Sequence, residues 1–375
     1  MRVSRRRLLA TLPLAAAGCS TRHIATPTAL APSPAAPRLA RVQVSPDRVI
    51  RTTVGLRPFR PSGFVVRTEK LGEKTVIHNY GHGGAGITLS WGTAQLAVEQ
   101  AAATETRDCA VIGCGVIGLS TARLLQLRGY RPTIYTQAMP PSTTTNMAGG
   151  LWEPVSLYDD DRVTPQFQAQ YAAAVHFAFR YFQWLSGPDY AVRWLPFYSL
   201  STRGPHQTPP AGNPASEVEP LYPAPRELTP AENPFATPFA YRRHSMLIEP
   251  APYLTALIRD FHLAGGRIVI RTFASTRDLA ELPETLLFNC TGLGAKALFG
   301  DEELTPIRGQ LVVLLPQPEI DYMTIGPNNI YMFPRRDGIL LGGSFDRGNS
   351  SLDPDPATSE RILRGNKAVF DAMKG

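Results

Sequence analysis

Two glycine-rich loops hold the residues of this chain best suited to chemistry. The first lies in VIHNYGHGGAGITLSWGTA, residues 76–94, where Gly81, Gly83, Gly84 and Gly86 separate an alternating run from a helix expected to start at Thr88. Glycine takes positive φ freely and lets a ligand approach main-chain atoms. The N–H groups of Gly83, Gly84, Gly86, Ile87 and Thr88 then converge at a helix N-terminus, which favours negative charge. The second loop follows the apolar run Cys109 to Ile112 and reads Gly113-Cys114-Gly115-Val116-Ile117-Gly118. A helix is expected to about Leu127, then a strand over Pro132 to Tyr135. Gly113 permits the tight turn, Gly115 lets backbone approach a pyrophosphate, and Gly118 lets helix pack on strand. The strand–turn–helix–strand context makes this a dinucleotide site. An acidic ribose ligand is expected after the second strand. Gln137 stands there instead, and its amide is the candidate contact.

A third segment, residues 142–154, places Thr143, Thr144 and Thr145 before Gly149, Gly150 and Leu151. The hydroxyls suit phosphate, and the glycines leave room for a flat ring; the plainer alternative is a capped loop entering a strand. Further along, a helix is expected over residues 252–263 and a strand from Arg267. A hairpin around Arg336-Asp337-Gly338 and a helix over 356–373 complete the reading. Ten prolines between Pro205 and Pro238 exclude long helices there and suggest a surface loop.

Composition bounds the classes. The chain has 375 residues, 43% of them apolar, enough for two domains and a sizeable core. Its net charge of +7 resides wholly in residues 1–50, so the body is formally neutral and has no nucleic-acid footprint. The basic start has its own explanation. Arg5-Arg6-Arg7 precedes an apolar run, residues 8–17, too short to span a bilayer. It reads as a twin-arginine export signal. Ala16-Ala17-Gly18-Cys19 resembles a bacterial lipobox, with Ala16 where Leu is usual. Cys19 is thus the candidate lipid anchor of a periplasmic protein, simple cleavage nearby being the alternative. Residues 1–19 are then signal and 20–44 a flexible tether. Cys109, Cys114 and Cys290 lack redox or zinc spacing and read as buried free thiols.

Together these segments resemble the D-amino acid oxidase family of FAD enzymes. Residues 76–94 are similar to its C-terminal signature and residues 142–154 to its Thr-rich turn and Ala-Gly-Leu-Trp segment. In the family that signature comes near the end of the chain. Here it precedes the nucleotide-binding loop, so the order looks circularly permuted, with residues 100–107 bridging the family's termini and Gly375 expected beside residues 40–48. Residues 76–102 are expected to pack against the strand beginning at Cys109. The resemblance implies an α/β fold: a Rossmann-like FAD-binding domain (59–157 and 245–300) interleaved with an antiparallel-sheet substrate domain (45–58, 158–244 and 301–375).

It also implies an activity. FAD oxidises a D-amino acid by hydride transfer from Cα to flavin N5, giving a 2-oxo acid, ammonia and, with dioxygen as acceptor, hydrogen peroxide. Arg57, in Gly55-Leu56-Arg57-Pro58, matches the family's carboxylate-binding arginine, whose planar fork suits a carboxylate. Tyr331 matches a tyrosine that touches the same carboxylate. A second family tyrosine is replaced by Pro327, with Tyr322 the candidate substitute. Gly84 matches the glycine whose carbonyl accepts the amine, and Phe273 the adenine-side contact. No general base is required. Arg242, Arg243, Arg335 and Arg336 are candidates for favouring an acidic substrate, or are solvated. His78 and His82 have metal-pair spacing, but the glycines exclude a helix and no metal is expected. The rivals are a glycine- or sarcosine-type amine oxidase or dehydrogenase, and a non-catalytic flavin-binding lipoprotein. A carboxylate clamp argues against the last.

Overall fold

The computed structural model describes residues 38–204, 209, 210 and 212–374, all within one compact unit. The expected signal, Cys19 and the first part of the tether lie outside the described residues, as does Gly375. The chain runs through β1 (Val49–Phe59), β2 (Val65–Leu71), β3 (Lys74–Tyr80), α1 (Gly86–Gln100), β4 (Asp108–Ile112), α2 (Val116–Leu127) and β5 (Arg131–Thr136). Next come α3 (Pro165–Trp184), β6 (Val192–Ser201), β7 (Arg226–Glu227), β8 (Phe239–Ile248), α4 (Pro250–Leu263), β9 (Arg267–Ile270), α5 (Thr276–Ala280), β10 (Leu286–Asn289) and α6 (Gly294–Phe299). It ends with β11 (Thr305–Leu314), β12 (Met323–Gly326), β13 (Ile330–Arg335), β14 (Gly338–Gly342), β15 (Asp346–Arg347) and α7 (Pro356–Asp371).

The strands form two sheets. One has the order β2-β3-β10-β4-β5-β9, parallel except for β2. Its inner strands are near-continuous apolar runs because helices and loops cover both faces; Ile77, Val111 and Phe288 are fully buried. The other runs β1-β11-β14-β13-β12-β6-β8-β7, with β15 also on β11, and is antiparallel apart from the β12–β6 pair. Residues 76–102 share one buried cluster with Cys109 and Val111 of β4, as expected, although β10 sits between β3 and β4 in the sheet and α1 lies against α2.

Local sequence explains the elements. Thr164 caps α3, its hydroxyl accepting from Phe167 N at 3.1 Å, with Pro165 preset for the first turn. The buried stripe Phe167, Tyr171, Ala174, Val175, Ala178 and Phe182 has helical spacing. Helix α1 starts at Gly86, two residues before the expected Thr88, because the 3-10 turn Gly83–Ala85 runs directly into it. The proline-rich stretch contains only short turns and β7 among its described residues, but it is not merely a surface loop. Tyr222, Leu228 and Phe235 between the prolines are buried, and Tyr222 Oη donates to Trp152 O at 2.9 Å. The last part of the expected tether belongs to the body, because Val42 and Val44 are apolar enough to join the core beside Phe370 and Met373. Arg41 Nη2 donates to Met373 O at 2.7 Å, so the two ends of the described chain adjoin.

Helices α1 and α3 cross at Gly92, where an added Cβ would lie 1.9 Å from Ala174 O. Overpacking against backbone typically costs about 1–3 kcal/mol. Gly92→Ala is expected to lower the unfolding free energy by that amount, read as a lower midpoint at unchanged slope in urea titration; an unchanged midpoint would show that the helices separate freely.

Candidate active site

A cavity of about 1030 Å³ opens where the carboxyl ends of β3, β4, β5 and β10 face the second sheet. At one end Gly113, Cys114, Gly115, Val116 and Ile117 line it. Gly113 has φ +115°, and a Cβ there would fall 2.5 Å from Cys290 O. Gly118 is not on the wall: its missing Cβ lets α2 pack on the turn, 2.0 Å from Gly113 O. Gly115 caps α2 with backbone open to the cavity: a Cβ there would meet only Thr145 Oγ1, at 3.4 Å. That hydroxyl accepts from Val116 N at 3.1 Å. Thr143, Thr144, Gln137 and Phe273 line the same end. Phe273 is held edge-on to Tyr135, with the Arg271 guanidinium 5.0 Å from its ring centre.

The other glycine loop folds over the cavity's middle. Gly83, with φ +51°, leaves room for Ser156 O, which also accepts from Gly84 N at 3.0 Å. Thr88 Oγ1 bonds to both Glu153 O and Glu153 N, at 3.1 and 3.2 Å. Helix α1 has no side-chain cap, and a Cβ on Gly86 would meet nothing nearer than His82 Cβ at 4.0 Å; its first turn, with Ile87 and Thr88, lines the cavity. Opposite lie Gly149, Gly150 and Leu151. Gly150, with φ +98°, sits so close to Ile248 O that a Cβ would be 2.1 Å from it. His82 is buried, stacked on Phe64 and 2.9 Å from Thr93 Oγ1; burial pushes its pKa down to about 3. His78 is also buried and pushed down to about 4. Among the described residues no group of His, Cys, Asp or Glu is arranged to hold a metal. The thiols of Cys109, Cys114 and Cys290 are free and raised to about 12 by burial.

At the far end stand Arg57 on β1 and Tyr331 on β13. Arg57 Nη1 donates to Ser344 O at 3.3 Å. Tyr331 stacks on Phe333 at 4.9 Å. Burial raises the pKa of its hydroxyl, opposed by the charge of Arg57 and a hydrogen bond to it. The remaining wall here is largely apolar: Val54, Leu311, Ile325, Phe333 and Phe345. Glu153 is the only carboxylate-bearing residue among the lining residues.

The segments brought together here match those of known proteins. The FAD dependent oxidoreductase family matches residues 25–100 and 108–374. A D-amino-acid oxidase of Streptomyces coelicolor is 32% identical over 284 residues, 72% of this chain and 79% of that one. A D-amino-acid oxidase of Rubrobacter xylanophilus is 29% identical over 71% of this chain and 78% of its own. A human D-aspartate oxidase is 27% identical over 72% and 78%. The chain belongs to the FAD dependent oxidoreductase family. The glycine oxidase of Geobacillus kaustophilus shares the fold, with a TM-score of 0.52 at 17% identity over 71% of this chain and 79% of that one.

FAD is accordingly the cofactor, and the cavity fits it. Gly115 and Gly86 leave open backbone on the cavity wall, each at a helix start whose N-cap residue supplies no side-chain bond. Two such helix ends suit a pyrophosphate and an electron-rich ring. Every expected site residue lines this one cavity except Gly118, which shapes its turn. Two expectations are corrected. Tyr322 does not replace the missing tyrosine: it is fully buried on the other side of the sheet, and its hydroxyl donates to Ala40 O at 2.7 Å. The four arginines do not reach the cavity lining. Arg243 pairs with Glu153, Arg335 with Asp337, Arg336 reaches Glu249, and Arg242 lies by Tyr198. Sequence reading missed Ser344, Gly309 and Glu153. Gly309 had a signal, since glycine inside a strand marks close approach; the other two had none.

His82 is neutral in the fold. Its pKa lies below the unfolded value, so the stability it contributes is full above about pH 6.5 and is lost as pH falls toward about 3. The expected slope is about 1.4 kcal/mol per pH unit. Thermal melts of the wild type and His82→Asn between pH 7 and 4 check this: the wild type should lose stability more steeply.

Proposed function

We propose that the protein oxidises neutral D-amino acids. The carrying observation is the pairing of the Arg57 guanidinium with the Tyr331 hydroxyl in an otherwise apolar pocket, beside Gly84 of the cofactor loop. A planar cation and a hydroxyl donor recognise a carboxylate. The Gly84 carbonyl accepts from the neighbouring amine. Bound FAD supplies the two-electron acceptor. The wall offers no strong base, as Glu153 is ion-paired with Arg243 and His82 is a very weak base held by Thr93. Loss of the Cα hydrogen is therefore assisted by the substrate amine's own lone pair. The similar D-amino-acid oxidases of two bacteria support this reading. A neutral side chain is favoured because, among the described residues lining the cavity, Arg57 is the one arginine at this end.

The same reading makes the chain a circular permutant. The family match falls in two stretches, residues 25–100 and 108–374, and the two ends of the described chain adjoin at Arg41 and Met373. Permutation is tolerated when the old and new ends lie at the surface and close together.

Arg57→Leu is expected to retain FAD and lose D-alanine oxidation, the lost carboxylate partner costing about 2–5 kcal/mol. A panel of D-alanine, D-valine, D-aspartate, glycine and sarcosine, followed by peroxide and dye reduction, should rank the neutral D-amino acids first. Preference for D-aspartate, glycine or sarcosine would overturn the assignment. For the permutation, a variant with residues 40 and 373 joined and the chain opened between residues 104 and 105 should bind FAD with an unchanged spectrum; failure to fold would refute it.

A further inference from the structure

Strand β11 carries Arg308-Gly309-Gln310, and side chains alternate across a strand. Arg308 and Gln310 are buried on one face, and Gly309 faces the cavity. The Arg308 guanidinium donates to Ser351 O at 3.1 Å, Asp353 O at 2.6 Å and Gln310 Oε1 at 2.7 Å, and pairs with Asp346. Gln310 Nε2 donates to Asp355 O at 2.7 Å, and its Oε1 accepts from Asp355 N at 2.8 Å. Its backbone N donates to Ser344 Oγ at 2.9 Å. Residues 344–355 are thus stitched down from beneath at both ends and in the middle. Their first residue, Ser344, presents its carbonyl to Arg57 Nη1.

On the cavity face, a Cβ on Gly309 would lie 2.6 Å from Arg57 Nη2 and 2.7 Å from both Cζ and Nη1. Near-equal distances to three atoms of a plane mean that the plane lies face-on to that point. An edge-on group would put Cζ well beyond the nearest nitrogen. The guanidinium therefore rests flat over the Gly309 backbone, with its rotation set by Ser344.

We propose that Arg308-Gly309-Gln310 is the positioning element of the carboxylate clamp: Gly309 is the shelf on which the Arg57 fork lies, and Arg308 and Gln310 fix Ser344, which orients it. This rests on the assignment of Arg57 as the carboxylate-binding residue. None of the three side chains needs to touch substrate. Burial of a charged residue against main-chain carbonyls fits this task, because such a contact is costly unless its geometry is fixed.

The test uses the FAD-loaded enzyme and sodium propionate, which is alanine without its amine, titrated by the visible spectrum of the bound flavin. Gly309→Ala should keep its FAD and melting temperature, since the atoms the new methyl meets are the far end of a flexible side chain. Its propionate Kd should rise tenfold or more, with a larger effect on the KM than on the kcat for D-alanine. Ser344→Ala keeps the carbonyl but frees it from Gln310, and should raise the propionate Kd three- to tenfold. In an Arg57→Leu background, Gly309→Ala should add nothing, because coupled residues are non-additive. Wild-type propionate affinity in Gly309→Ala, or in Ser344→Ala should the former lose FAD, overturns the proposal. Wild-type propionate affinity in Arg57→Leu alone would instead overturn the clamp itself.

Discussion

The site depends on one close approach of backbone to backbone, between residues 83–88 and residues 153–156. Gly83 admits Ser156 O at a distance no side chain allows, Gly84 N bonds to that oxygen, and Thr88 bridges both polar groups of Glu153. This contact ties the start of α1 to the segment that follows Gly149 and Gly150, so two walls of the cavity are set by a single junction. It also reaches the clamp, because a Cβ on Gly84 would be 2.7 Å from Val155 O and 3.5 Å from Arg57 Cδ. A side chain at either glycine would push apart the 83–88 loop, the 153–156 segment and Arg57 together. The glycines therefore act less through flexibility than through the space they leave.

Charge in the cavity is sparse and divided. Arg271 stands at the end with Phe273 and Gln137, Arg57 at the end with Tyr331, and Glu153 is drawn toward Arg243 behind the wall. The Arg243 guanidinium also lies over the rings of Tyr222 and Phe197 at 4.6 and 5.4 Å, which holds it away from the cavity. The middle of the cavity thus keeps mainly backbone dipoles. Partial charges at two helix starts suit a large, delocalised anion better than a lysine or arginine would, since they are fixed by the fold and need no reorganisation.

Motifs made of contiguous residues were legible in the sequence. The turn Gly113 to Gly118, the threonines 143–145 and the loop 81–86 each carry their chemistry within a few positions, and the cavity gathers them all or is shaped by them. Helix starts slipped by two residues at α1 and α4, where a 3-10 turn and Pro250 extend the helix backward. What sequence did not convey were contacts across the sheet. Tyr322 lies only nine residues from Tyr331, yet β12 and the turn after it put the two on different sides, one toward Ala40 and one toward Arg57. Likewise the four arginines appeared available until their carboxylate and aromatic partners, distant in sequence, were seen beside them.

The order of segments along the chain matters little to any of this. Strand β1 delivers Arg57 by pairing with β11 over Gly55–Gly309 and Arg57–Ile307, and that pairing is specified by side chains and register, not by which strand is made first. The parallel sheet makes the same point: β10, late in the chain, inserts between β3 and β4. Since these pairings of β1 with β11 and of β10 with β3 and β4 are long-range already, a different placement of the chain ends would change loop-closure entropy by only a small logarithmic amount. The two ends of the described chain are held together at Arg41 and Met373 by a hydrogen bond and by the buried Val42, Val44 and Phe370, so side chains alone fix their packing.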